Sequence, residues 1–450
     1  NTTTDGITNA GNFSTDGGTI KLDGNYPTGT ENTALGDTAL DSVQAGGNYN
    51  VVLGSRAGTN ITTGDNNVGV GAYALCDIQT NSQNVAIGTE TLKKNTASNN
   101  TAVGYISLRC NTSGCQNTAV GSEALKTNTT ANNNTAVGHC SLTLNTTGTR
   151  NTGTGKSSLQ ANTTGSCNSG HGMYALYNNT EGGNNVAVGT CSLFTNTTAD
   201  NNTAVGLCSL YANTTGSENT AVGTYALDAN TTGAKNTAVG KNAGSAITTG
   251  TFNDIFGRSA GFDLTTGDYN VAVGSGSLAN LTTTNDNTAV GHNALNTVVT
   301  GTQNTAVGTC ALHNTTVNCG TAVGYQSLKG NTTGDKNTAV GRNSANNNTT
   351  GSDNTVVGFC SLGTNTTGAC NTAFGNYSLY SNTTANDNSA FGYNTLGLNT
   401  TGTNNVAMGR NALLNNTTAA NNTAVGKDSL CANTTSENAA FGANALKAQT

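Results

Sequence analysis

The chain has 450 residues, of which 9% are charged, and its formal net charge is -6. It contains no Trp and a single Pro, and it is rich in Gly, Asn and Thr, so a large aromatic core is not available. The acidic balance provides no basic surface for nucleic acid. No apolar run approaches the roughly 18 residues that a membrane span needs. We therefore expect neither a nucleic-acid partner nor membrane insertion.

Residues 1–31 form the first predicted segment and lie outside the repeat that follows. The stretch GTIKLDG at residues 18–24 predicts a short strand between two turns. We interpret the segment as an N-terminal cap or attachment point, and a disordered leader is the alternative.

Residues 32–450 consist of twenty-five copies of one repeat, of which NTAVG at residues 117–121 is typical. The glycine that closes this motif recurs every 17 residues from Gly121 to Gly308, and only two later steps are 16 residues long. Self-similarity at a short fixed period is the signature of a solenoid. The strict register argues against a disordered low-complexity chain. We expect one elongated repeat array rather than several globular domains.

The consensus of the repeat is N-T-A-V-G-x-x-(A/S)-L-x-x-N-T-T-G-x-x, and we number its places one to seventeen. It predicts one strand at TAV, a tight turn at the fifth-place Gly, a second strand near AL and a second turn at NTTG. We expect the fourth-place Val and the ninth-place Leu to fill the interior. The predicted fold is an all-β parallel β-solenoid, or β-roll, of about 25 coils. A twelfth-place Asn would form a ladder with its copies in adjacent coils, about 4.8 Å apart.

Three coils exchange the ninth-place Leu for another apolar residue at the twelfth place. In these coils the ninth place is Gly58, Gly244 or Gly261, and the twelfth is Ile61, Ile247 or Leu264. We interpret the exchange as two places that fill the same interior volume. It is not strict, because four coils carry apolar residues at both places: Leu40 with Val43, Leu75 with Ile78, Leu278 with Leu281, and Leu295 with Val298.

The strand motif TAV places two apolar residues next to each other. Ala119 and Val120 point to opposite sides of a strand, so both faces of the sheet are predicted to be buried. One face would serve the interior of the coil and the other a partner chain. We therefore expect a homotrimeric rod with a shared axis.

The segments NTAVG, NVAIG (residues 84–88) and NVAVG (residues 185–189) resemble the short repeats of trimeric autotransporter adhesin heads. The longer arrays are similar to repeat regions of tail-fibre-like proteins of marine bacteriophages and of bacterial surface proteins. The resemblance implies a trimeric β-roll in a fibre or adhesin, located outside the cell on a virion or as a cell-surface filament. A host-surface glycan or protein would be its partner. The 17-residue period departs from the adhesin heads.

The twelve cysteines follow the repeat, and none has the CxxC spacing of a zinc site. Cys310 with Cys319, and Cys360 with Cys370, share a coil and are candidate disulfides. Cys191 and Cys208 occupy the same place in adjacent coils and form a third candidate pair. The alternative is that all are free thiols that act as small apolar fillers. Disulfides would place the protein outside the cytoplasm.

The repeat breaks twice in succession, where Thr154 and His171 replace the fourth-place aliphatic residue. Simple drift in a tolerant solenoid explains this. The sharper hypothesis is a metal site, in which three copies of His171 converge on the trimer axis. We predict no other metal and no cofactor.

Catalysis has little support, because the acidic residues are scattered mostly singly over turn positions. A tail-spike-type glycan hydrolase would need paired carboxylates. Ice binding is the second alternative, because the Thr pair of NTTG recurs on most coils. That pair is adjacent and is expected to lie in a turn, whereas an ice-binding face needs Thr on alternate residues of a flat strand. We therefore expect a non-enzymatic structural fibre or adhesin.

Overall fold

The structure is a computed structural model that describes residues 31–297 and 300–448. The predicted N-terminal cap, residues 1–31, lies outside the described residues except for its last one. The chain divides into two compact units, Asn1–Ser217 and Glu218–Thr450, and each is a parallel β-solenoid.

Every coil contributes one three-residue strand from its second, third and fourth places. The first unit contains β1 (Thr33–Leu35), β2 (Val51–Leu53), β3 (Val68–Val70), β4 (Val85–Ile87), β5 (Thr101–Val103), β6 (Thr118–Val120), β7 (Thr135–Val137), β8 (Thr152–Thr154), β9 (Ser169–His171), β10 (Val186–Val188) and β11 (Thr203–Val205). The second contains β12 (Thr220–Val222), β13 (Thr237–Val239), β14 (Asp254–Phe256), β15 (Val271–Val273), β16 (Thr288–Val290), β17 (Thr305–Val307), β18 (Thr321–Val323), β19 (Thr338–Val340), β20 (Thr355–Val357), β21 (Thr372–Phe374), β22 (Ser389–Phe391), β23 (Val406–Met408), β24 (Thr423–Val425) and β25 (Ala439–Phe441).

Within each unit, consecutive strands pair in parallel, and residues from the same place of the repeat lie opposite each other. In β6 and β7, Thr118 lies opposite Thr135 and Ala119 opposite Ala136. The pairing keeps this register across the 16-residue step, where Thr305 of β17 lies opposite Thr321 of β18. The predicted β-solenoid with a 17-residue period is confirmed.

The second predicted strand, near AL, is wrong. Places six to eleven form a continuous series of turns in which the seventh and ninth residues have left-handed backbone angles, as in Glu123 (φ 61°) and Leu125 (φ 49°). A residue in that region cannot continue a strand. The backbone still bonds to the next coil, because the Leu125 N–H donates to the Ser141 carbonyl over 3.0 Å.

The turn at the fifth place is confirmed, and it requires glycine. Gly121 has a φ of 136°, and a Cβ built there would lie 2.5 Å from the carbonyl oxygen of Gly138 in the next coil. Both the backbone angle and the close approach therefore exclude other residues.

The interior differs from the predicted one at the fourth place. The third-place Ala, such as Ala119, and the ninth-place Leu, such as Leu125, are fully buried. Val120, at the fourth place, is 37% exposed and points outward from the sheet. The prediction that the fourth-place aliphatic fills the interior is wrong, because the side chains of a strand alternate and Ala takes the inner face.

Two ladders of buried Asn complete the interior. At the twelfth place, Asn145 Nδ2 donates to Asn128 Oδ1 over 2.9 Å, so the predicted ladder is confirmed. The first-place Asn forms a second ladder that was not predicted: the Asn134 backbone N–H donates to Asn117 Oδ1 over 3.0 Å. Both ladders meet at the fifteenth-place carbonyl, since Gly148 O accepts from Asn134 Nδ2 and Asn145 Nδ2. These bonds satisfy amides that would otherwise be costly to bury.

The exchange between the ninth and twelfth places is confirmed at Gly58 and Gly244, whereas a Cβ on Gly261 would first meet the third-place Ile255, at 3.1 Å from its Cδ1. Ile61, Ile247 and Leu264 are fully buried. A Cβ on Gly58 would lie 2.9 Å from Ile61 Cδ1, and a Cβ on Gly244 would lie 2.9 Å from Ile247 Cδ1. In these two coils, the twelfth-place side chain therefore fills space next to the missing ninth-place one.

Candidate functional site: rows of side chains on the outer surface of the coils

The outer face of the sheet presents an apolar row, which we call the sheet row and define as the fourth-place side chains. Most of its members are half-exposed aliphatic residues, and it becomes aromatic at Phe374 and Phe391, whose rings stack 5.9 Å apart. Second-place Thr and Val side chains flank it. Each unit thus carries a long apolar face that its own coils leave uncovered, which is a common property of association surfaces.

The sheet row is interrupted at Thr154 and His171, which lie opposite each other on β8 and β9. Thr154 Oγ1 and His171 Nδ1 are 2.6 Å apart, and His171 is exposed. In the tautomer in which Nδ1–H donates to Thr154 Oγ1, this hydrogen bond orients the ring and leaves Nε2 as the nitrogen that suits metal ligation. Among the described residues of one chain, no group of three or more His, Cys, Asp or Glu residues could hold an ion. The metal site stays a prediction that depends on the trimer.

The described cysteines are free thiols. Cys191 and Cys208 form a side-chain hydrogen bond, so the structure brings this candidate pair together. Cys319 is exposed and its thiol lies 3.5 Å from Gln303 Oε1, while Cys360 lies 4.0 Å from Asn343 Nδ2. The candidate pairs Cys310 with Cys319 and Cys360 with Cys370 stay predictions.

Burial shifts the pKa of several titratable side chains. Burial raises the pKa of the Cys76, Cys191 and Cys431 thiols, so these three are poor nucleophiles near neutral pH. Burial also raises the pKa of the Asp228 carboxyl, against the opposing effect of a hydrogen bond from Ser245 Oγ at 2.7 Å. The shift at Asp228 thus has a structural cause and needs no catalytic partner.

The Thr pair of NTTG lies in a bend rather than on a flat strand, as predicted. The first Thr of the pair is occupied by a hydrogen bond, since Thr129 Oγ1 donates to the Thr146 carbonyl of the next coil over 3.0 Å. Thr146 repeats the bond to Thr163 over 3.1 Å. The first hydroxyl of the pair therefore stabilises the stacking of coils in these positions.

Two aromatic clusters lie on the turn side of the coils, and the consensus did not reveal them. In the first unit, tenth-place rings stack in adjacent coils, with Tyr177 and Phe194 5.1 Å apart and Phe194 and Tyr211 5.2 Å apart. In the second unit, Tyr377 makes edge contacts with Phe359, Tyr380 and Tyr393.

Two members of the second cluster, Phe359 and Tyr393, also belong to a row of sixth-place residues that we call the aromatic–arginine row. It consists, in chain order, of Tyr325, Arg342, Phe359, Asn376, Tyr393 and Arg410. The Arg342 guanidinium lies 5.6 Å from the Tyr325 ring centre and 5.8 Å from that of Phe359, and Arg410 lies 5.8 Å from Tyr393. The signal in the sequence is the 17-residue spacing of Arg342 and Phe359, which the consensus hides because its sixth place is variable.

The fold defines the chain as a β-solenoid repeat protein. No protein-family model matches the chain, and no curated protein matches it. Among the described residues, no helix is long and apolar enough to span a bilayer. The likeness to adhesin heads and phage fibres therefore rests on the repeat motif.

Proposed function

We propose that the protein is a non-enzymatic structural fibre or adhesin that works outside the cell, as a virion appendage or a cell-surface filament. Its work is mechanical reach and surface attachment, with a glycan or protein of a host surface as the partner. The stacked coils support this proposal, because each adds the same hydrogen bonds and a further increment of length.

The observation that carries the proposal is the sheet row. Val222 and Val239 illustrate it, since each is 36% exposed while the Ala before it is fully buried. Leaving such a row in water along a whole unit forgoes hydrophobic stabilisation that a partner chain would supply. We propose that three chains pack their sheet rows around a common axis, which would also bring the three copies of His171 together.

The described residues give less support to the two alternative functions, ice binding and glycan hydrolysis. The Thr pair of NTTG lies in a bend and uses its first hydroxyl in stacking, which leaves it unsuited to order water on a flat face. Asp228, whose carboxyl pKa is raised, is bonded to Ser245 and not to a second carboxylate. A glycan hydrolase would pair two carboxyl groups across the cleaved bond.

The assembly is tested by replacing Val222 and Val239 together with Asp. Native mass measurement should give three chains for the unmodified protein and one for the variant, because six carboxylates would be buried at the axis without partners. A monomeric unmodified protein with an intact β-signal would overturn the proposed trimer.

A matched control adds the same two charges elsewhere on the same coils. Thr232 and Thr249 are exposed fourteenth-place residues. Their joint replacement by Asp should leave the mass of the assembly unchanged. If this control also dissociates the trimer, added charge rather than loss of the sheet row explains the result.

A further inference from the structure

We propose that the aromatic–arginine row binds an anionic polysaccharide, a sugar chain that carries carboxylate or sulfate groups. This inference rests on the proposed attachment function and names the class of ligand and its site. The row lies entirely within the second unit.

The row is held by a continuous series of backbone hydrogen bonds. The seventh-place N–H of each coil donates to the sixth-place carbonyl of the coil before it: Cys360 to Arg342 over 3.0 Å, Tyr377 to Phe359 over 3.0 Å, and Asn394 to Asn376 over 2.9 Å. The side chains therefore project at the regular rise of the strands. Arg342 and Arg410 are four coils apart, or roughly 19 Å. A site of this length suits an extended chain more than a compact small molecule.

The two arginines are exposed and available to an anion. Each guanidinium lies over an aromatic ring, and its paired N–H donors match the geometry of a carboxylate or sulfate. The ion pairs formed among the described residues use other cations, namely Lys93, Arg109, Lys126 and Lys447.

The charge around the row favours an anionic ligand even though the chain as a whole is acidic. From residue 320 to residue 448, the sixth, seventh and tenth places carry five basic residues and one acidic residue. The acidic residue, Asp428, accepts a hydrogen bond from Asn411 at 2.9 Å and lies 3.7 Å from Lys447. The acidic residues Asp335, Asp353, Asp387 and Glu437 of the same coils lie at the sixteenth and seventeenth places.

The uncharged members of the row suit sugar. Tyr325 is 46% exposed and Tyr393 is 49% exposed, so they offer both aromatic carbon for sugar C–H groups and phenol hydroxyls for sugar hydroxyls. Asn376 Oδ1 accepts from the Phe359 N–H over 3.0 Å, which turns the amide NH₂ away from that bond. Single-stranded nucleic acid is the competing polyanion, but nucleic-acid binding generally uses a broad basic surface, and this chain has a net charge of -6.

The test measures binding of polygalacturonate, dextran sulfate, uncharged dextran and single-stranded poly-dT to the full chain by calorimetry at low salt. We expect binding to one or both of the anionic polysaccharides, and the stronger of them identifies carboxylate or sulfate as the preferred group. Absence of binding to both, equal binding of dextran, or tighter binding of poly-dT would each overturn the inference.

Two pairs of substitutions locate the site. Arg342→Gln with Arg410→Gln should weaken binding by about 10-fold or more, as expected for the loss of two charge-assisted contacts. Tyr325→Ser with Tyr393→Ser should also weaken it while the charge is kept. The matched control is Lys241→Gln with Arg258→Gln, which removes two sixth-place charges from coils whose neighbouring sixth places hold no aromatic residue. An equal loss in this control, or no loss in either test pair, would overturn the site.

The mass of each variant assembly separates this inference from the proposed trimer. A monomer that binds the anionic polysaccharide through this row would overturn the trimer and leave the site standing. A trimer that binds neither anionic polymer would overturn the site alone. If the arginine substitutions dissociate the assembly, the row is an interface between chains and the inference fails.

Discussion

At the scale of the residue, the most unusual feature is the repeated left-handed backbone at ordinary L-residues. In one coil, Glu123, Leu125 and Asn133 all have φ between 49° and 61°. Such angles are unfavourable for residues like Leu. They persist because each of these N–H groups donates to a carbonyl of an adjacent coil, at 3.0 to 3.2 Å. Asn at the seventeenth place is a familiar signal for this backbone, but Glu and Leu are not, so sequence reasoning assigned a strand near AL.

The buried Asn ladder leads to a prediction at Asn128. Its side chain donates to Asn111 Oδ1 and the Ala131 carbonyl and accepts from Asn145 Nδ2. We expect Asn128→Ala to destabilise the first unit by about 1–3 kcal/mol, because it leaves buried polar atoms without partners. Urea unfolding followed by circular dichroism measures the effect.

Asn132 provides the comparison for this substitution. Its Oδ1 accepts from the Cys115 N–H over 2.7 Å at a half-buried turn, where water can replace the bond. Asn132→Ala should therefore cost less than Asn128→Ala. Equal losses of unfolding free energy in the two variants would show that the buried Asn ladder does not stabilise the fold more than an exposed turn hydrogen bond does.

At the scale of the element, the period of the sequence was enough to predict the coil, one strand in it and its parallel stacking. The inner and outer faces of the strand were less accessible, because Ala119 and Val120 are both apolar and hydrophobicity alone does not distinguish them. Position in the strand decides, because the third place is fully buried whether it holds Ala119 or Val356, and the fourth place lies on the outer face. The aromatic–arginine row was missed because averaging over the copies hides a feature confined to six of them.

The exchange between the ninth and twelfth places predicts the outcome of Gly244→Leu. The backbone would accept Leu, since Gly244 has a φ of 57° and Leu227, at the same place one coil earlier, has 50°. Space is the obstacle, because a Cβ at Gly244 would lie 2.9 Å from Ile247 Cδ1 and 3.1 Å from Leu227 Cδ2. We expect a loss of about 1–3 kcal/mol from overpacking. The coil that buries both Leu75 and Ile78 points to the lower end of that range.

A second substitution should reverse this loss. Ile247→Asn, combined with Gly244→Leu, restores the consensus at both places and removes the crowding. The double variant should regain most of the stability in thermal unfolding, which gives a coupling energy between the two places. A neutral Gly244→Leu, or a double variant no better than the single one, contradicts the shared interior volume.

At the scale of the whole molecule, the coils within a unit are nearly equivalent, so one of them should be removable. Deletion of residues 117–133 would place Thr135 opposite Thr101 and Ala136 opposite Ala102, which reproduces the register of the present pairs. We expect the shortened chain to keep its β-signal and nearly its melting temperature, because contacts are made only between neighbours.

Removal of only part of a coil tests whether a whole coil can be deleted because the register of the strands is kept. Deletion of residues 117–124 would leave the ladders of Asn and Leu out of line, with buried amides facing apolar side chains. This shorter deletion should disrupt folding of the first unit more than the longer one. The opposite order would contradict the equivalence of whole coils.

The register of the strands, in which the same places of the repeat lie opposite each other, also affects how the number of coils can change in evolution. Thr305 lies opposite Thr321 although the two are 16 residues apart, and the register is the same as between strands that are 17 residues apart. A change of one residue in the length of the turns therefore leaves the strand pairing intact. A gene built of such copies gains or loses whole coils when recombination joins two of them out of step. Each product presents the same junction to its neighbours. The number of coils is therefore a trait that selection can adjust in single steps, without the need to invent a new interface.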